Sequence, residues 1–232
     1  MGHAVRALQT EILPPGGRLE VGRGEATVYY VDSGLRRVFR LGPGRDPMRV
    51  HWGVFVEDGT YGNGQPLRPC AFEIRPPEKS VEDKAREAVR REYGEDWENG
   101  YTRPTPSGDL SARLIFDLAR WVRPALAFVA DRRHLGYLLL NEGDVRRGEL
   151  STFLLHLSPS RLVYSFMLAR DLGDTELEHA VFRKLARNRD CAAAGSKTFG
   201  AAVAYWANEI ARETGVDLSD LVTASKKANG PS

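Results

Sequence analysis

The chain has 232 residues, 42% apolar and 28% charged, with a formal net charge of +2. At roughly 100–200 residues per domain, it holds one large domain or two small ones. Mixed charges with nine Phe, eight Tyr and four Trp exclude a disordered, collagenous or fibrous chain, and two cysteines, Cys70 and Cys191, exclude a disulfide scaffold or a Cys-rich zinc module.

The N-terminus, Met1-Gly2-His3-Ala4-Val5-Arg6-Ala7-Leu8, lacks the apolar core of a signal peptide. No run of about 18 uncharged apolar residues occurs, as a spanning helix would need. Residues 110–130 come nearest and are interrupted by Arg113, Asp117, Arg120 and Arg123, a spacing that marks the wet stripe of an amphipathic helix. The expected location is the cytoplasm, with no membrane partner.

Residues 26–32 and 35–41 alternate as strands around Ser33-Gly34, a two-residue hairpin turn. The implied register pairs Val28 with Phe39, Ala26 with Leu41 and Tyr30 with Arg37. One face is then apolar, and the other carries Tyr29, Arg36 and Arg40. Residues 48–57 alternate again, with Val50, Trp52, Val54 and Val56 on one side and Arg49, His51, Phe55 and Glu57 on the other. A Pro/Gly-rich loop over 59–69 precedes a fourth strand, 70–75, that turns Cys70, Phe72 and Ile74 inward and Glu73 and Arg75 outward. Short connections imply an antiparallel meander with one packed face.

Helices follow. Ser80 caps a predicted helix over 81–93, and 94–108 is a polar connection. Residues 110–122 are amphipathic, Pro124 kinks or restarts the helix, and 125–140 continues it to a stop at Asn141-Glu142-Gly143-Asp144. Further helices are predicted at 150–157, 161–171, 176–188 and 199–214, with Thr175-Glu176-Leu177-Glu178 spelling a capping box. The tail from Ala224 is expected to fray.

Several motifs fall short of their chemistry. Gly195-Ser196-Lys197-Thr198 departs from a phosphate-binding loop in residue order and follows a helix rather than a strand. Glu176 and His179 form a single Glu-x-x-His, whereas a di-iron bundle needs a second copy and two further glutamates. The five histidines are scattered, and no nucleophile elbow occurs. A catalytic constellation can be drawn from Asp58 at a strand end and Glu73-Ile74-Arg75 on the next strand. Restriction-type nucleases hold Mg²⁺ between two such carboxylates and activate water with a lysine. Arg75 stands at the lysine position and stays protonated, so it cannot exchange a proton in that way.

Of the 33 basic residues 27 are arginine. That excess either serves phosphate or carboxylate recognition or reflects GC-rich codons. Interspersed acids, as in Glu82-Asp83-Lys84-Ala85-Arg86-Glu87, weigh against nucleic acid. The outer sheet face, with Tyr29, Arg36, Arg40, Arg49, His51, Phe55 and Glu57 as its binding residues, mixes aromatics and arginines as protein interfaces do. The alternative is a face covered by the chain's own helices, with arginines at its rim.

The run Val50-His51-Trp52-Gly53-Val54-Phe55-Val56, then Cys70-Ala71-Phe72-Glu73-Ile74-Arg75, Val122-Arg123-Pro124-Ala125-Leu126 and His134-Leu135-Gly136-Tyr137-Leu138, resembles a bacterial family known as domain of unknown function 4304, over about residues 20–142. The family brings no catalytic residues. The resemblance implies a cytosolic accessory or immunity-like protein.

The expected fold is α+β: an antiparallel N-terminal sheet backed by helices in a domain at 1–142, then a helical region, 143–228, packed on it. The expected function is a non-enzymatic protein-interaction or immunity-like accessory protein, without a cofactor and with another protein as partner. The alternative is a Mg²⁺-dependent nuclease using Asp58 and Glu73 as catalytic and metal-binding residues, with Arg75 beside them.

Overall fold

Alternating sequence at 26–41 sets up the first structural feature, a β-hairpin closed by two residues of positive φ. In the computed structural model, which describes residues 8–9, 12–22, 26–43, 50–58, 72–75, 118–141, 145–147, 150–152, 157–193 and 198–226, Ser33 has φ 52° and Gly34 φ 72°. Positive φ at both central positions matches the twist of the flanking strands. Glycine accepts it without steric cost, and Ser33 is the single non-glycine among the described residues to adopt it.

The chain forms two compact units: Met1–Glu57, Phe72–Val129 and Val145–Phe153 make the first; Asp58–Ala71, Ala130–Asp144 and Leu154–Ser232 make the second. They interleave along the sequence rather than meeting at one boundary.

The first unit is an α+β sheet. Its strands are β1 (Arg18–Val21), β2 (Ala26–Asp32), β3 (Leu35–Pro43), β4 (Val50–Asp58), β5 (Phe72–Arg75), β6 (Arg146–Arg147) and β7 (Leu150–Thr152), in the order β1-β2-β3-β4-β5-β7-β6. The pairings with a described register, β1–β2, β2–β3, β4–β5, β5–β7 and β6–β7, are all antiparallel. The predicted hairpin register is present: Ala26 lies opposite Leu41, Val28 opposite Phe39 and Tyr30 opposite Arg37. Val28, Leu35, Phe39 and Leu41 are buried on one face. Contacts to β3 come from α1 (Arg123–Leu126), which continues a π-helical turn, Leu118–Val122, and carries Pro124 in its first turn, where the missing N–H costs nothing.

The second unit is helical: α2 (Arg132–Leu139), α3 (Pro159–Leu172), α4 (Thr175–Asn188), α5 (Phe199–Thr214) and α6 (Ser219–Lys226). Residues Arg161 through Ala169 of α3 are all buried, so this helix is covered on every side. Gly173 ends it in the left-handed region at φ 63°, where the N–H of Asp174 reaches the carbonyl of Ala169 at 2.9 Å. Glycines also set the packing distance. A Cβ on Gly136 would lie 2.5 Å from Leu177 Cδ2, and one on Gly200 2.7 Å from the Ser225 carbonyl.

Four local expectations are corrected. Residues 150–152 form a strand instead of the start of a helix, because pairing of Ile74 with Thr152 and Arg75 with Ser151 overrides weak helical preference. The helix expected over 125–140 is two helices: Asp131 is extended and accepts from the His134 N–H at 2.7 Å, starting α2 afresh. The cap of α4 is Asp174, accepting from the Leu177 N–H at 3.0 Å, rather than Thr175. Glu178, assigned to the capping box, meets Arg170 at 3.2 Å. A further helix, α6, is absent from the predicted elements and runs to Lys226, into the tail expected to fray from Ala224. The helix at 81–93, the loop at 59–69, the connection at 94–108 and the first part of the amphipathic run at 110–122 lie outside the described residues. Among the described residues, no helix is long and apolar enough to cross a membrane.

Candidate protein-interaction surface

Strand parity divides β2 and β3 into two chemistries. On the face opposite the buried one, the register places Arg18 beside Tyr29 and Val38, Glu20 beside Thr27 and Arg40, and Val31 beside Arg36. Tyr29 donates its hydroxyl to Glu20 Oε1 at 2.7 Å. The Arg36 guanidinium lies over the Tyr29 ring, 5.0 Å from its centroid, and that of Arg40 over the Phe55 ring at 5.3 Å. Both distances lie within cation–π range, and such stacking holds a long side chain in one orientation.

Exposure is uneven across this face. Val38 is buried, while Arg40 is exposed, Val31 is 65% exposed, and Tyr29, Arg36 and Phe55 are half-buried. The open part is therefore a rim rather than the whole face. Arg40 has no carboxylate partner among the described residues. Of the other predicted binding residues, Arg49 lies outside the described residues. His51 and Glu57 belong to β4, with side chains outside the description.

The buried face also carries a charged side chain, at the position the register pairs with Tyr30. Arg37 is 4% exposed and donates to the carbonyls of Leu126 and of Val129, the latter at 2.8 Å. It also meets Asp32 Oδ2 at 3.3 Å. A cation there satisfies carbonyls left open at the end of α1. Burial pushes the nearby Tyr30 phenol up, against the pull of Arg37.

Asp58, the leading nuclease candidate, is buried, and both its oxygens are occupied. Arg132 Nε donates to Oδ1 and Nη2 to Oδ2, each at 3.1 Å, and Nη1 donates to Asp171. Burial lowers the Arg132 pKa, but hydrogen bonds and charge from Asp58 and Asp171 outweigh it, so the net shift is upward. A permanently protonated guanidinium thus holds both oxygens that the nuclease reading would offer to Mg²⁺. Glu73 pairs through its backbone with Phe55, three positions before Asp58, and Arg75 with Ser151; their side chains lie outside the description.

The second unit adds an unforeseen surface pair. Tyr205 and Trp206, neighbours on α5, are 52% and 37% exposed with ring centroids 5.8 Å apart. Their position outside the buried Val203, Ala207, Ile210 stripe was the available signal. Cys191 is exposed and Cys70 lies outside the described residues. Glu176 of the Glu-x-x-His motif meets Arg133 at 2.9 Å. Among the described residues, no group of three or more His, Cys, Asp or Glu is placed to hold a metal ion.

No protein-family profile, curated protein or solved structure matches the chain, so the family resemblance rests on its residues alone.

Proposed function

We propose that this chain is a non-enzymatic accessory protein of the cytoplasm, of the immunity-like kind the resemblance implies, that binds another protein through the arginine–aromatic rim of its sheet. One observation carries the reading: Arg36 and Arg40 are each seated over an aromatic ring on the same face, and Arg40 is exposed. Arginine and aromatic side chains are the residue types that interfaces enrich, and stacking reduces the entropy lost when a partner docks. The Arg132 guanidinium on both oxygens of Asp58 favours this reading over hydrolysis at that carboxylate.

Affinity capture with the full chain tests it. Reversing charge at Arg36, Arg40 and Arg49 together should strongly reduce the partner recovered by the natural chain. Undiminished recovery by a variant that melts normally overturns the proposal.

A further inference from the structure

We propose that the outer edge of β1 pairs with itself: a second copy of this chain adds its own β1 antiparallel and continues the sheet, whether or not the rim binds another protein. β1 ends the strand order, and among the described residues it pairs with β2 alone. In an antiparallel ladder alternate residues turn their N–H and C=O to the same side, so half of β1 aims these groups away from β2. Such an edge is a template for another strand unless proline, a bulge or charge of one sign blunts it. β1, Arg18-Leu19-Glu20-Val21, has no proline, pairs residue for residue with β2, and carries one charge of each sign. Its apolar side is open as well: Val21 lies opposite buried Ala26 yet is 48% exposed.

Charge selects both the occupant and the register. Two identical antiparallel strands that keep Leu19 and Val21 of both copies on one side must be centred on a residue, because a slip by one turns the apolar set over. Centred on Arg18 or on Glu20, the pair sets like charges directly opposite each other, which destabilises it. Centred on Leu19, it sets Arg18 opposite Glu20 of the second copy and Glu20 opposite Arg18 of the second copy. Both side chains are exposed. Tyr29 donates to Oε1 of Glu20, which holds the carboxylate on that face and leaves it further acceptor sites for a guanidinium. The contact is isologous, so it closes at the dimer instead of growing into a fibre.

Sedimentation equilibrium of the full chain over about a hundredfold range of concentration measures the association, since a four-residue strand contact belongs to the weak class and appears by mass action. A reversible dimer is expected at the upper end. Arg18→Glu or Glu20→Arg alone sets like charges opposite one another twice per dimer and should weaken it at least about fivefold. An equimolar mixture of the two variants should associate as the natural chain does, because each supplies the charges the other lacks. Both variants should melt with the natural chain by circular dichroism, since both positions are exposed. A chain monomeric throughout, a dimer indifferent to both reversals, or a mixture no better associated than the separate variants overturns the proposal. If a reversal lowers the melting midpoint, Arg18→Gln and Glu20→Gln replace the pair, and full association retained by both overturns it equally.

Discussion

In the helical unit, Arg132 meets Asp58 and Asp171, Arg133 meets Asp174 and Glu176, Arg170 meets Glu178 and Asp220, and Arg212 meets Glu209. On the sheet of the other unit, Arg36 and Arg40 sit over rings, as Arg133 and Arg170 of the helical unit also do, over Tyr137 and Phe166. One residue type thus does two jobs. Neighbouring turns and helices bring both acids and rings to Arg133 and Arg170, whereas cross-strand spacing brings rings to Arg36 and Arg40. Among the described residues, each unit also buries an arginine against backbone carbonyls: Arg37 on those of Leu126 and Val129, and Arg161 on those of Leu138 and Asn141, at 3.1 and 3.0 Å. Burial pushes Arg161 down to about 10, so it stays protonated at neutral pH.

The sharpest way to break the comparison is within one strand. Arg37→Met should cost about 3 kcal/mol, because it leaves buried carbonyls without donors, whereas Arg40→Met should stay within about 0.5 kcal/mol of the natural chain. Urea unfolding measures both. Equal losses would mean that the buried and rim arginines do not differ as described.

Asp58→Ala ranks next, at about 2 kcal/mol, since Arg132 would lose one buried partner and keep Asp171. The same variant separates structure from catalysis. A normal melting curve combined with loss of a Mg²⁺-dependent plasmid-cleaving activity would replace the interaction reading with the nuclease one.

The smallest effect is set by pH. A hydrogen bond from Arg133, then one from the Leu177 N–H, holds the Asp174 carboxyl below the usual carboxylate range. A carboxyl lowered on folding contributes stability that is fully present above its unfolded value of about 3.9, and loses it as pH falls through the lower folded value. Melting should therefore decline below about pH 4, and Asp174→Asn should flatten that decline while lowering the neutral-pH midpoint. An acid limb unchanged by the substitution would remove Asp174 from the account.

Much of the sheet was legible because its period of two is local. Val28, Phe39 and their neighbours announced both a face and a register, and Ser33-Gly34 supplied the turn. The candidate rim follows from the same parity, which places Tyr29, Arg36, Arg40 and Phe55 on one face. Parity also assigned Arg37 to the apolar face. What it did not show is why a charge is tolerated there, since the Leu126 and Val129 carbonyls lie about ninety residues away in the chain.

The amino-acid order by itself determined the α+β class, the hairpin and its register, the main helices of the C-terminal part, and the mixture of arginines and rings on one face. Those features depend on side-chain alternation and helical spacing, which operate over a few residues. Tertiary structure decided which carbonyls receive Arg37, that residues 150–152 join the sheet beside Phe72–Arg75, and that Asp58 belongs to Arg132. Each depends on groups distant in sequence meeting at hydrogen-bond range, and no local periodicity encodes that.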